Sequence, residues 1–260
     1  MIKKNILFLL LIIFPISVLA HEEVSQSIDH YYSDLYIKLI YIASAIIIIS
    51  VILAIKLNKK NSLKTAFFLL ITIPTIIVTI FLVGSTIYIN IIAHTKGPVH
   101  WHADFEIYNC DKKVDIINPK GISNRVGSST FHEHGDNRIH IEGVVVNLED
   151  VNLQNFFKFI GGSITNDYAI IPTNEGILEI RNNNLCNRKL GRLQAFLYTT
   201  EDNRIKQEKI NNFPEYIPSA NSLVPPGDCI IIEFNEEKNK TDYICKTYKV
   251  AINKGDLIGS

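Results

Sequence analysis

Two long apolar runs, residues 39–55 and 66–93, limit what this chain can become, because neither contains a charged side chain. Each approaches or exceeds the roughly 20 residues that cross a bilayer core. One such run could be a buried helix of a soluble protein. Two in succession predict a transmembrane helical hairpin over residues 35–93, and Pro74 is compatible with a membrane helix. The connector "KLNKKNSLK" carries Lys56, Lys59, Lys60 and Lys64 and no acid. The positive-inside rule places it on the cytoplasmic side. Tyr31, Tyr32, Tyr36 and Tyr88 lie at the opposite ends of the runs, where an interfacial aromatic belt belongs.

Residues 1–20, "MIKKNILFLLLIIFPISVLA", have the parts of a signal peptide: Lys3 and Lys4, an apolar stretch, then Val18 and Ala20 before a cleavage point. The alternative is an uncleaved first helix. Either way residues 94–260 are expected outside, because Lys3 and Lys4 would hold the start of a third span inside. The expected location is therefore the cell membrane, with two transmembrane helices (three without cleavage) and an extracytoplasmic C-terminal domain. The four cysteines, Cys110, Cys186, Cys229 and Cys245, all fall in that domain. They are compatible with two disulfides in any of three pairings. No C-x-x-C occurs, so the usual redox spacing is missing. With 26 basic and 26 acidic residues the chain is neutral, which argues against a nucleic-acid partner.

The external domain reads first as strands. Over residues 100–108 Trp101, Ala103, Phe105 and Ile107 alternate strictly with His100, His102, Asp104, Glu106 and Tyr108, the two-residue period of a half-buried strand. "KVDII" returns as a second strand, and "RIHIEGVVV" repeats the alternation. One helix is expected in "DVNLQNFFKFIGG", where Leu153, Phe156, Phe157 and Ile160 recur at helical spacing, Asp150 or Asn152 can cap the start and Gly161–Gly162 can end it. "YAIIP", "GILEI", "GRLQAFLY" and "CIIIEF" follow as strands, and "DYICKTYKV" as an edge strand. The expected class is α+β, a mostly antiparallel sheet with one main helix, β-grasp-like, with a β-sandwich or small barrel as the alternative.

Five of the eight histidines lie between His100 and His140. In a strand H-x-H puts two imidazoles on one face, roughly 6.5–7 Å apart at Cα. His100 with His102 and His132 with His134 form two such pairs, and His140 adds a third point. If the strand of His140 pairs beside the first, three to five imidazoles meet. Such nitrogen-rich sets suit Zn²⁺, Cu²⁺, Ni²⁺ or Fe²⁺ and not Ca²⁺ or Mg²⁺. The competing interpretation is a polar sheet face with a His–carboxylate network. His21 and His30 sit beside membrane segments and are excluded; His94 is kept as an extra candidate.

"HWHADFE" is similar to the first cupin motif, H-x-H-x₃-E, which implies His100, His102 and Glu106 as metal ligands; the flanking glycines and the second cupin motif do not match. "HWH", "HEHGD" and "RIHIEG", followed by "LQNFF", resemble a group of uncharacterised prokaryotic secreted or membrane-anchored His-rich domains with the pattern H-x-H … H-x-H-x-D … I-H-I-E. That resemblance covers residues 96–235 and implies a shared histidine site, not a reaction. The leading expectation is a membrane-anchored protein that binds, buffers or delivers copper or zinc through His100, His102, His132, His134, His140 and Glu106. The alternatives are a metal-dependent hydrolase or oxidoreductase with Glu106, Glu133 or Glu142 as general base, a thiol–disulfide protein, or a structural or partner-binding module of a membrane complex.

Overall fold

The computed structural model describes residues 28–57, 61–220 and 227–258, so the expected signal segment at residues 1–20 lies outside the described residues. Two antiparallel helices come first, α1 (Ile28–Lys56) and α2 (Asn61–Ile92). Within them Asp34–Lys56 and Leu63–Ile92, 23 and 30 residues, are long and apolar enough to cross a membrane. At the helical rise they measure about 35 and 45 Å, against a hydrocarbon core of about 30 Å. A core helix of a soluble protein would bury its apolar side chains. Here Ile55, Phe68, Ile80 and Ile91 are 70, 63, 67 and 64% exposed. The hydroxyls of Ser50, Thr75 and Thr79 donate to carbonyls one turn back, at 2.7–2.8 Å, which satisfies them without water. At the far end Ile89, Ala93 and Tyr32 pack on Val144 and Val146, so the hairpin docks directly onto the domain.

The domain is built on a mixed sheet of eight strands: β1 (Pro98–Asn109), β2 (Lys112–Val114), β3 (Val126–Gly127), β4 (Phe131–Glu133), β5 (Arg138–Val144), β11 (Arg192–Glu201), β12 (Arg204–Ile210) and β13 (Asp228–Asn235). Its order is β12-β11-β13-β1-β5-β4-β3, with β2 on β1. Only β1 and β13 run parallel, at the centre; every other pair is antiparallel. A second sheet, β6 (Ser163–Ile164), β7 (Tyr168–Thr173) and β8 (Gly176–Arg181), and a small pair, β9 (Leu185–Cys186) with β10 (Lys189–Leu190), complete the strands. The main sheet does not close, so the barrel alternative is not what the described residues form.

One face of the main sheet carries Phe105, Ile107, Ile139, Ile141, Ile230 and Ile232. It is covered by α3 (Leu153–Phe159) and the second sheet. The predicted helix stripe is the core: Leu153, Phe156 and Phe157 are fully buried and Ile160 nearly so. Asn152 caps α3 by accepting the Asn155 N–H at 2.9 Å. The other face carries Tyr108, Phe196, Tyr198, Cys229 and Ile231 under a second helix, α4 (Lys246–Lys254). This corrects two expectations: the described residues of the domain form two short α-helices where one main helix was expected, and the tail from Lys246 is helical where an edge strand was expected. Tyr248 and Ala251, three apart, turn inward onto this face, a spacing too short to stand out in a polar segment. All four cysteines are paired. Cys110–Cys186 ties the β1–β2 turn to β9, and Cys229–Cys245 ties β13 to the start of α4.

Phe156 lies 5.4 Å from both the Phe105 and Phe131 rings. Phe156→Ala is expected to lower the unfolding free energy by about 3–5 kcal/mol. Urea denaturation of the full chain in detergent, followed by Trp101 fluorescence, measures this.

Candidate metal centre

Strand register builds this site. β1 and β5 pair so that His102 faces His140 and His100 faces Glu142. On the other side of β5, β4 sets His132 opposite His140. Directly opposed residues project from the same face. His102, His140 and His132 therefore form one row across three strands, and His100 and Glu142 form a second row nearer the start of β1. His134 follows β4. Its ring turns back until its Nε2 is 3.1 Å from that of His132 and its Nδ1 is 2.5 Å from the Asn124 carbonyl oxygen. Gly127 pairs with His132 at the sheet edge with φ +116°, and a Cβ there would meet the Phe131 carbonyl oxygen at 2.5 Å. Only glycine lets β3 lie this close to His132.

The five rings converge on His140. Its centroid is 4.7 Å from those of His102 and His134, and His132 stacks on it at 5.6 Å. The Nε2 atoms of His100 and His102 are 3.0 Å apart. Glu142 lies among them, with Oε1 2.8 Å from His100 Nε2 and Oε2 3.8 Å from His132 Nε2. Two groups of three could each hold an ion, His100–His102–His140 and His132–His134–Glu142, with candidate ligand atoms within 4.8 Å of one another. Three atoms that close share a centre within about 3 Å, against metal–nitrogen bonds of about 2.0–2.1 Å. Shifts of about an ångström complete either set.

The electrostatics suit ligation. Burial pushes the His132 imidazole down to about 4, against the opposing pull of Glu142. That ring is neutral at pH 7, the form a metal requires. His132 Nδ1 and both ring nitrogens of His140 are buried without a hydrogen-bond partner. Leaving such atoms unsatisfied costs about 1–3 kcal/mol each, and an ion would satisfy the nitrogens that face it. The outer side is open: the His100 and Glu142 side chains are 59 and 36% exposed.

No known family model, curated protein or solved structure matches the chain. The chemistry of the site rests on its own residues.

All five expected histidines are brought together. Glu106 is not. It shares their face of β1 but lies four residues along, beneath α4. Its carboxylate accepts the Tyr108 hydroxyl at 2.6 Å and the Lys246 N–H at 3.0 Å, with Lys113 Nζ at 3.4 Å. The cupin-like spacing thus points to a carboxylate that anchors the start of α4. Asp104 is likewise engaged, by Arg138 at 3.0 Å and by the Thr247 hydroxyl, and burial raises it to about 6 while Arg138 opposes the rise. The carboxylate at the histidines is Glu142, which the alternation of β5 puts on the face of His140. His94 is exposed and belongs to neither group. Glu133 is buried and accepts the Asn137 N–H at 2.9 Å, a turn contact.

Glu106→Gln is expected to cost about 1–3 kcal/mol of stability, through imperfect pairing of buried partners. It should leave the number of bound metal ions unchanged, and denaturation with elemental analysis of the same preparation checks both.

Proposed function

We propose that the chain is a membrane-anchored protein whose extracytoplasmic domain binds a transition metal, copper or zinc, through its histidine cluster, and so buffers or delivers that metal at the outer membrane surface. One observation carries this reading: His102, His140 and His132 stand in one cross-strand row, in which His132 Nδ1 and both ring nitrogens of His140 are buried without a hydrogen bond. A hydrogen-bonded polar network would pair those atoms; a metal site leaves them free for the ion. His100, His102, His132, His134 and His140 serve as ligands, with Glu142 in the place that spacing alone gave to Glu106.

Several features support the placement. The lysines of the connector favour a cytoplasmic hairpin turn. Two disulfides and no free cysteine fit an oxidising compartment. The exposed apolar flanks of α1 and α2 offer surface to lipid or to a membrane-protein partner. We read the domain as β-grasp-like: β1 and β13 are parallel at the centre, flanked by β5 and β11, with α3 between β5 and β11 in sequence and on one face. The resemblance to membrane-anchored His-rich domains belongs to the same reading. A thiol–disulfide role loses support, because all four cysteines are bonded and Cys186, Cys229 and Cys245 are almost fully buried.

A second reading, a metal-dependent hydrolase or oxidoreductase, is favoured by one feature. Each group supplies three donors, which leaves a coordination position for water or substrate. Glu142 is then the available base.

The test uses the full chain in detergent, stripped with chelator and titrated with Zn²⁺ or Cu²⁺. Binding at micromolar concentration or tighter is expected, with a rise in Tm by ligand linkage. His140→Ala should weaken it at least about tenfold, the scale of loss for even an outer-sphere partner of a metal. Absence of binding and an unmoved Tm would overturn the reading.

A further inference from the structure

The six donor residues do not surround one point. His100 and His102 approach each other on β1, while His132 and His134 approach each other across the far side of β5. The His100 and His140 rings are 6.1 Å apart and those of His132 and His140 are 5.6 Å apart. One ion with bonds of about 2 Å cannot engage both H-x-H pairs without large movement of paired strands.

Glu142 stands between the pairs and turns one oxygen to each. Its Oε1 is 2.8 Å from His100 Nε2 and 3.9 Å from His140 Nδ1; its Oε2 is 3.8 Å from His132 Nε2. A carboxylate that offers separate oxygens to two donor sets is the geometry that bridges two cations. It also supplies negative charge where the two repel most. Asp136 adds a second carboxylate, its Oδ2 3.5 Å from His140 Nε2. His140 occupies the midline: its ring is equally near His102 and His134, and both its nitrogens are buried without a hydrogen bond, facing Asp136 and Glu142 only at ion-pair distance.

Resting on the metal-binding reading above, we infer that this face holds two divalent transition ions side by side. His100, His102 and His140 ligate one, His132 and His134 ligate the other, and Glu142 bridges them. Two-metal centres place their ions about 3.5–4 Å apart and clamp an oxygen ligand between them. The exposed side at His100 and Glu142 leaves room for such a ligand from solvent.

Stoichiometry and spin coupling test this on the full chain in detergent. Equilibrium dialysis against Zn²⁺ should give two equivalents per chain. The His132→Ala/His134→Ala and His100→Ala/His102→Ala double variants should each keep one. The Cu²⁺-loaded wild type should show a half-field electron paramagnetic resonance line from paired spins. In Glu142→Gln the second equivalent should bind at least about tenfold more weakly. One equivalent in the wild type overturns the pair and leaves the metal-binding reading intact. Two equivalents with spectra of isolated ions overturn the bridge. No binding at all overturns both readings. The wild-type measurements decide even if a variant fails to fold.

Discussion

The antiparallel register of β1 against β5 is the constraint on which the rest of the domain depends. The pairing that sets His102 opposite His140 also sets Ala103 opposite Ile139 and Trp101 opposite Ile141. A slip of one residue would turn Phe105 and Ile107 out of the core and the histidines into it. Core and site are thus two faces of one pairing. Burial of apolar side chains against α3 holds the imidazoles in their row on the other side, and any metal chemistry there inherits a scaffold already specified by packing.

The histidine face has two tenants. Over β11, β13 and the second half of β1 lies α4, held by the Cys229–Cys245 disulfide and by buried Tyr248. It engages Asp104 through Thr247 and Glu106 through the Lys246 N–H. Those two carboxylates are thereby taken out of play, although on β1 they continue the line of His100 and His102. The half of the face that α4 leaves uncovered carries all five imidazoles and Glu142. Helix coverage, as much as ligand spacing, decides which residues are available.

Much of this was legible in the sequence. The apolar runs, the alternation of residues 100–108, the helical stripe of α3 and the H-x-H pairs are local periodicities, and local periodicity follows from backbone geometry. The tail after Cys245 was not legible. In "KTYKVAINK" the inward residues are few and the rest is polar, so its helix depends on tertiary contact more than on pattern. Glu106 was misleading for a related reason. Its spacing from His102 fits a metal motif, but spacing says which face a residue occupies and not what covers that face.

The sequence by itself determined that two helices long and apolar enough for a membrane precede an α+β domain, and that His100, His102, His132 and His140 lie on strand faces. Those are properties of short stretches, written in the 3.6- and 2-residue periods. Only the tertiary structure decided that the three strands are neighbours, that Glu142 and not Glu106 stands among the rings, that Cys110 pairs with Cys186 and Cys229 with Cys245, and that α4 divides the face. Each of these joins residues far apart in the chain. Their meeting is set by the burial of both faces of one sheet, a global condition that no local pattern encodes.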